Sequence, residues 1–368
     1  MSFPSAWGRR VTLTIDHTKV LSTITNYRLV LAWTGAAGTS NLPLEMMDAD
    51  GSYPCISGGG DVRFSLDAGG AFRLPCEIVK CVTDNDTTLA RAEIHVLIPS
   101  VSSAVDTVIY LWYGKAGETQ PATTAPYGRN RTWSDDYQYI YHLAETSGNA
   151  IDSAGTQDGT FIGGLPTISA GALLTNSAQS LDGINDEITI GSGDISGKVF
   201  SFTCIENWTN LNSNPRIFSK SNGATNYWRA RFNTTPPVPY EFLLRVAGTS
   251  YSLSNTVATA SGSWGLYAGL YDGNSYGIKS YKWNGQAGDG LLTTNATPTG
   301  NIDTDAAAVI HIGTQGTSWQ QALMDELRIG FTVLNPDGLY ATYLNFIDAH
   351  GFSSVGSPMT PRVCGVLV

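Results

Sequence analysis

Apolar and polar residues alternate at residues 10–16, the period expected of a strand buried on a single face, and residues 27–33, Tyr-Arg-Leu-Val-Leu-Ala-Trp, are read as a second strand. Three further runs, Asp61-Val62-Arg63-Phe64-Ser65, Glu93-Ile94-His95-Val96-Leu97-Ile98-Pro99 and Thr107-Val108-Ile109-Tyr110-Leu111-Trp112-Tyr113-Gly114, are rich in β-branched and aromatic residues. Gly, Asp and Ser turns separate them, and spacing this regular predicts a β-sandwich over residues 1–116. Residues 117–132 begin Gly-Glu-Thr-Gln-Pro-Ala-Thr-Thr-Ala-Pro and lose the alternation, which predicts a linker. Strand patterns resume at 139–143, 180–182, 187–190, 200–208, 216–219, 227–232, 240–246, 264–271, 278–283, 309–312 and 322–329. Asp182-Gly183, Asp272-Gly273 and Asn284-Gly285 favour the positive φ of tight hairpins, so consecutive strands are expected to run antiparallel.

One helix is signalled. Asn335 can cap it, Pro336 suits its first turn, and Leu339, Tyr340, Tyr343, Leu344 and Ile347 form an apolar stripe ending before Gly351. The expectation is a short helix packed on the second sandwich, which then spans 133–351. A tail, 352–368, ends in the apolar Val363-Cys364-Gly365-Val366-Leu367-Val368 and is expected to dock on a neighbouring subunit or domain. The fold class is therefore all-β, with two β-sandwich domains.

A length of 368 residues exceeds what one core usually serves, which agrees with two domains. The net charge of −10 opposes non-specific attraction to phosphate backbones, so nucleic acid is excluded as an expected partner. No apolar run reaches the roughly 18 residues of a membrane-spanning helix, so no membrane insertion is expected. The first ten residues lack the apolar stretch of a secretory signal. Cys55, Cys76, Cys81, Cys204 and Cys364 are odd in number and show no Cys-x-x-Cys spacing. Reduced thiols are expected, with a Cys55–Cys76 or Cys76–Cys81 bridge as the alternative.

The phrases of residues 7–116, namely the arginine-led first strand, Asp61-Val62-Arg63-Phe64 and Ile109-Tyr110-Leu111-Trp112-Tyr113-Gly114, resemble an uncharacterised domain family of bacterial surface proteins and phages. In the second half, Tyr141-His142-Leu143-Ala144-Glu145, Asp152-Ser153-Ala154-Gly155, Leu181-Asp182-Gly183-Ile184-Asn185-Asp186, Phe200-Ser201-Phe202-Thr203, Ile312-Gly313 and Met324-Asp325-Glu326-Leu327-Arg328-Ile329 resemble, in order, the concanavalin A-like, laminin-G-like superfamily. That resemblance implies a jelly roll whose first and last strands lie near 139 and 325. It also implies binding of glycans or proteins, often with one structural calcium ion.

Asp152, Asp182 and Asp325 are the candidate calcium ligands, because distant carboxylates can converge in such a fold; Asp182 in a plain turn and Asp325 beside Arg328 also have ordinary structural roles. Among the tryptophans, most of which only fill cores, Trp283 and Trp319 sit beside turns and are the candidates for stacking on a sugar ring. The five histidines show no zinc spacing, and His142 reads as a structural imidazole. No Glu-x-Asp-x-x-Glu strand is present, and adjacent Asp186-Glu187 or Asp325-Glu326 point to opposite faces, so the two facing carboxylates of a retaining glycosidase are not proposed by this sequence.

The function expected from these readings is non-enzymatic: a phage virion component, of tail, fibre or capsid decoration, assembled in the host cytoplasm. Its expected partners are other virion proteins, further copies of itself, with a trimer as one arrangement, and host surface glycan. The alternatives are a glycan-binding module of a secreted bacterial surface protein, working outside the cell, a purely architectural virion protein, or a glycoside hydrolase.

Overall fold

The computed structural model describes residues 3–4, 6–133, 136–155, 157–169, 178–191, 193–195, 197–210, 214–222, 225–233, 240–254, 261–273, 278–285, 289–292, 298–315 and 318–361. The chain forms two compact units: Met1–Asp135 together with Asp337–Val368, and Asp136–Pro336. Both are built from antiparallel sheets, so the all-β class with two sandwiches holds. No helix among the described residues is long and apolar enough to cross a membrane.

In the first unit a five-stranded sheet runs in the order Ser353–Val355, Arg9–Ile15, Thr107–Tyr113, Arg63–Ser65 and Arg73–Leu74. A three-stranded sheet, Ile24–Trp33, Arg91–Val101 and Cys76–Val82, completes it. Val11, Leu13 and Ile15 all point inward from the first strand, as its alternation requires, and share a core with Leu29, Leu31, Trp33, Ile94, Val96 and Leu111. Cys55, Cys76 and Cys81 are buried free thiols here, and the pair in contact is Cys55 with Cys81, Sγ to Sγ 3.2 Å, instead of either pair named from spacing.

Ile24–Trp33 lies at the end of its sheet, which leaves the N–H and C=O groups of one backbone edge without a strand partner. Two buried asparagines satisfy them. Asn345, on the helix Pro336–Ile347, accepts from Val30 N at 2.7 Å and donates to Val30 O at 2.9 Å. Asn41 accepts from Ala32 N at 2.7 Å and donates to Val30 O at 3.0 Å, Ala349 O at 3.2 Å and Ser353 Oγ at 2.9 Å. A side-chain amide offers one donor and one acceptor side by side, as a neighbouring peptide would, so the two residues stand in for a missing strand.

This arrangement corrects the expected placement of the helix. The helix packs in the first unit, with Ala341 in its core, and its buried face carries Asn345 while Ile347 is 41% exposed. The described part of the tail does not project: Phe352 enters the core, Ser353–Val355 pairs with Leu13–Ile15, and Met359 bridges Arg10. Residues 362–368, the apolar end, lie outside the described residues.

The segment expected to be a linker is fastened to the first unit. Arg63 donates to Thr119 O at 2.6 Å, Gln120 to Gly58 O at 2.7 Å, and Asn130 N to Thr123 O at 3.0 Å. A short helix, Arg129–Trp133, then buries Trp133, whose indole N–H donates to Glu77 at 2.5 Å. Pro/Thr/Ala composition signalled a break in periodicity, but free backbone groups found local acceptors.

In the second unit one sheet follows the order Ile168–Ser169, Ala178–Asp182, Gln321–Gly330, Phe200–Asn210, Gly265–Tyr271, Ile278–Trp283 and Gly290–Leu292, with Tyr137–Tyr141 pairing beside Gln321–Gly330. The other has seven strands: Thr249–Ser254, Tyr240–Val246, Asn226–Phe232, Arg216–Ser221, Val309–Ile312, Glu187–Ile190 and Thr160–Ile162. The first and last long strands are neighbours, with Tyr141 opposite Leu327 and Tyr139 opposite Ile329, as expected for this jelly roll. Phe200, Phe202, Phe218, Trp228 and Phe242 from both sheets meet ring against ring between them.

Replacing Asn345 with Ala leaves the Val30 N–H and C=O without that amide, and should destabilise the first unit by about 2–4 kcal/mol. Ile347→Ala on the exposed face should cost about 0.5 kcal/mol or less. Urea unfolding followed by tryptophan fluorescence measures both.

Candidate functional site

The strand Asn226–Phe232 sends Trp228, Ala230 and Phe232 into the core, which places Tyr227, Arg229 and Arg231 on the opposite face of the seven-stranded sheet. Its neighbour Tyr240–Val246 buries Phe242, Leu244 and Val246 and turns Glu241, Leu243 and Arg245 the same way. Register sets Arg231 opposite Glu241, Arg229 opposite Leu243 and, on the other side, Arg216 opposite Arg231. A polar surface with four arginines therefore follows directly from the packing of the aromatic core behind it.

Glu241 bridges two of these cations: Arg231 Nη2 lies 2.8 Å from Oε2, and Arg229 Nη2 bonds Oε1. Burial by itself would raise the Glu241 carboxyl, but the hydrogen bonds and charges of Arg231 and Arg229 outweigh it and hold the group below the usual carboxylate range. Arg216 donates to Asn226 Oδ1 at 2.9 Å and has no carboxylate of its own among the described residues. Burial first, and then the like charges of Arg229 and Arg231, push it down to about 10.

At one end of this face Thr225, Tyr227, Arg245, Ala247, Asn301, Ile302, Asp303 and Thr304 enclose an open cavity of about 630 Å³. Arg245 Nε holds Asp303 at 2.7 Å, and Gly248 N holds the same carboxylate at 3.0 Å. The Tyr227 hydroxyl donates to Asp305 at 2.8 Å, and Asn222 Nδ2 reaches the same oxygen at 2.8 Å. The Tyr227 hydrogen bond lowers the Asp305 carboxyl, and the same contact raises the Tyr227 phenol. Donors, acceptors and an aromatic ring thus share one open depression.

None of the residues singled out from sequence lines this cavity. Trp283 is 7% exposed and stacks on Tyr281 with ring centroids 5.6 Å apart, which leaves too little face for a sugar. Trp319 is half-buried in the short strand Ser318–Trp319, paired with Thr314.

The three aspartates do not converge, and no group of three or more ligand atoms among the described residues includes any of them. Asp152 is buried and its carboxylate accepts from the amides of Ile140 at 2.9 Å, Ala154 at 3.0 Å and Gln157 at 2.9 Å. Asp182 is exposed and caps a turn through Ile184 N at 2.7 Å, while Asp325 is buried in the strand Gln321–Gly330. Three potential ligands do meet at Asp16, His17 and Asp106 in the first unit, yet Asp16 is engaged by Thr18 and Asp106 by His17. His142 meets Glu326, which also accepts from Arg328 at 2.9 Å, so the imidazole sits in a buried ion-paired group.

One buried carboxyl escaped the sequence analysis. Glu206 breaks an apolar run in the strand Phe200–Asn210, is fully buried, and accepts from Gln320 Nε2 at 2.7 Å. Burial pushes it up to about 8, offset in part by that hydrogen bond. The signal was present as a single acidic residue between Ile205 and Trp208.

No protein-family model matches this sequence. No curated protein matches it either. Among solved structures, the chain is similar to domain 4 of AbnA, a GH43 extracellular arabinanase from Geobacillus stearothermophilus, in complex with arabinotriose, at 18% identity and TM-score 0.43 over 55% of this chain and 96% of that one. It is similar to the binding domain of Paraclostridial Mosquitocidal Protein 1 at 13% identity and TM-score 0.45, spanning 58% of this chain and only 53% of that one. A third is the Ruminococcus gnavus IT-sialidase CBM40 bound to alpha2,3 sialyllactose, at 17% identity and TM-score 0.32 over 40% of this chain and 82% of that one. Likeness of this degree assigns no ligand or activity.

Glu206 titrates near 4.5 when unfolded and near 8 when folded, so the native state holds the extra proton between those values. The contribution of Glu206 to stability should be greatest below pH 4.5, fall as pH rises to 8 and level off above it. Glu206→Gln should abolish that slope and raise stability at pH 7 by up to about 3 kcal/mol. Thermal unfolding of both proteins between pH 5 and 9 checks it.

Proposed function

We propose that the second unit is a non-catalytic glycan-recognition module that engages sugar at the open end of its seven-stranded sheet. The carrying observation is the cavity of about 630 Å³, where the Tyr227 ring, the Arg245–Asp303 pair and Asn301 offer an apolar face together with hydrogen-bond donors and acceptors. A pyranose ring presents both kinds of surface, C–H patches to an aromatic and hydroxyls to paired polar groups. Asp303 and Asp305 are already held by Arg245, Gly248, Tyr227 and Asn222, which favours fixing a ligand over transferring protons.

The setting we propose is the surface of a phage particle, with host glycan as the ligand and other virion proteins as neighbours. Its support is the pairing of two sequence resemblances, and it is separable from the binding reading. Several copies on one particle would convert weak individual sites into useful avidity.

On a glycan array the native chain should bind a defined set of sugars. Tyr227→Ala and Asp303→Asn should each weaken binding by about tenfold, equivalent to ~1.4 kcal/mol. No reducing sugar should be released from any bound polysaccharide. Binding to none of the glycans, or equal binding by both variants, would count against this site. Mass spectrometry of purified particles from the source lysate tests the setting.

A further inference from the structure

We propose that Arg216, Arg229 and Arg231 form a subsite for the carboxylate of an acidic sugar, with Glu241 bracing two of the three guanidinium groups. The inference rests on the glycan reading for the rest of the ligand and deepens it by naming the ligand's charge.

Three cations face a single carboxylate on this part of the sheet, in a chain whose formal charge is −10. The imbalance is not dispersed in solvent: the side chains of Arg229, Arg231 and Glu241 are 11%, 21% and 6% exposed. Guanidinium groups stay protonated at neutral pH, so the burial and, after it, the repulsion from Arg229 and Arg231 that push Arg216 down to about 10 act on a charged group. An anion would relieve that repulsion.

The donors are available as well as the charge. Glu241 occupies Nη2 of Arg229 and of Arg231, and Asn226 occupies Nη1 of Arg216. Nη1 of Arg229 and of Arg231 and Nη2 of Arg216 carry no such bond among the described residues, whereas the three Nε atoms are unbonded but shielded. Leaving such donors unmet is costly, and the planar fork of arginine matches a carboxylate with two parallel bonds.

Placement links this cluster to the cavity. Tyr227, Arg229 and Arg231 are alternate residues on one face of one strand, so at about 3.4 Å per residue Arg231 stands roughly 14 Å from Tyr227 along the sheet. A short oligosaccharide bridges that span, with one ring over Tyr227 and a carboxyl-bearing ring over the arginines. A polyphosphate chain fits less well, because the net negative charge of the protein opposes a ligand charged at every unit.

The test is isothermal titration of the full chain with a galacturonate trimer, with the same trimer after reduction of its carboxyl groups, and with inorganic sulfate. Each is measured at low and high salt for the native protein, Arg231→Gln and Tyr227→Ala. The acidic trimer should bind the native protein at least about tenfold more tightly than the reduced one, and this preference should shrink with salt and vanish in Arg231→Gln. Equal binding of the two trimers to the native protein overturns the subsite but leaves the glycan reading standing. A charge preference that survives in Arg231→Gln also overturns it. Sulfate binding that matches the acidic trimer and ignores Tyr227→Ala would establish an anion pocket and refute the sugar assignment along with the glycan reading. Binding of neither trimer defeats both proposals. Should Arg231→Gln fail to fold, the salt dependence of the native preference decides alone.

Discussion

An antiparallel strand cannot bury one side chain without turning the next to the other face, and the second unit depends on that constraint throughout. Trp228, Ala230, Phe232, Phe242 and Leu244 lie in its core. The same register places Arg229, Arg231, Glu241 and Arg245 outside on adjacent strands. A slip of one residue would drive three arginines into a space now filled by aromatic rings, so core and candidate site are specified by one pairing. Arg229, Arg231 and Glu241 need no dedicated loop to come together.

Sheet edges impose the second constraint. In the first unit the edge of Ile24–Trp33 is satisfied by Asn41 and Asn345, while Arg9–Ile15 gains Ser353–Val355 as a neighbour. Residues from Asp337 onward thus complete a sandwich begun by residues more than 300 positions earlier, so the second unit is an insertion within the chain of the first. The cost of closing so long a loop grows only with the logarithm of its length, whereas each unmet backbone group in a dry interior costs a fixed amount.

Polar groups inside the second unit follow the same accounting. Lys220 turns inward beside Trp228 and meets Asp194 and the carbonyl of Gly193, 2.6 Å away. Glu206 avoids the cost of a buried charge by holding its proton. The three outer arginines have no comparable remedy within the described residues, since one glutamate serves two of them. That contrast separates the proposed ligand surface from polar groups settled within the fold.

Period-two alternation, Gly-containing turns and the matching phrases at each end of the second unit were enough to establish an all-β chain, a pair of sandwiches and a jelly roll with Tyr137–Tyr141 beside Gln321–Gly330, because strand periodicity is a local property. Locality also explains the failures. Composition marked Pro336–Ile347 as an amphipathic helix, but whether its buried face would meet one sandwich or the other depended on an unpaired strand edge some 300 residues away. Trp283 and Trp319 were favoured for their turns, yet exposure is decided by what packs over a ring. Arg216, Arg229, Arg231 and Glu241 looked like ordinary outward residues of separate strands. Only register brought them together, and only tertiary burial turned their charges into a local excess.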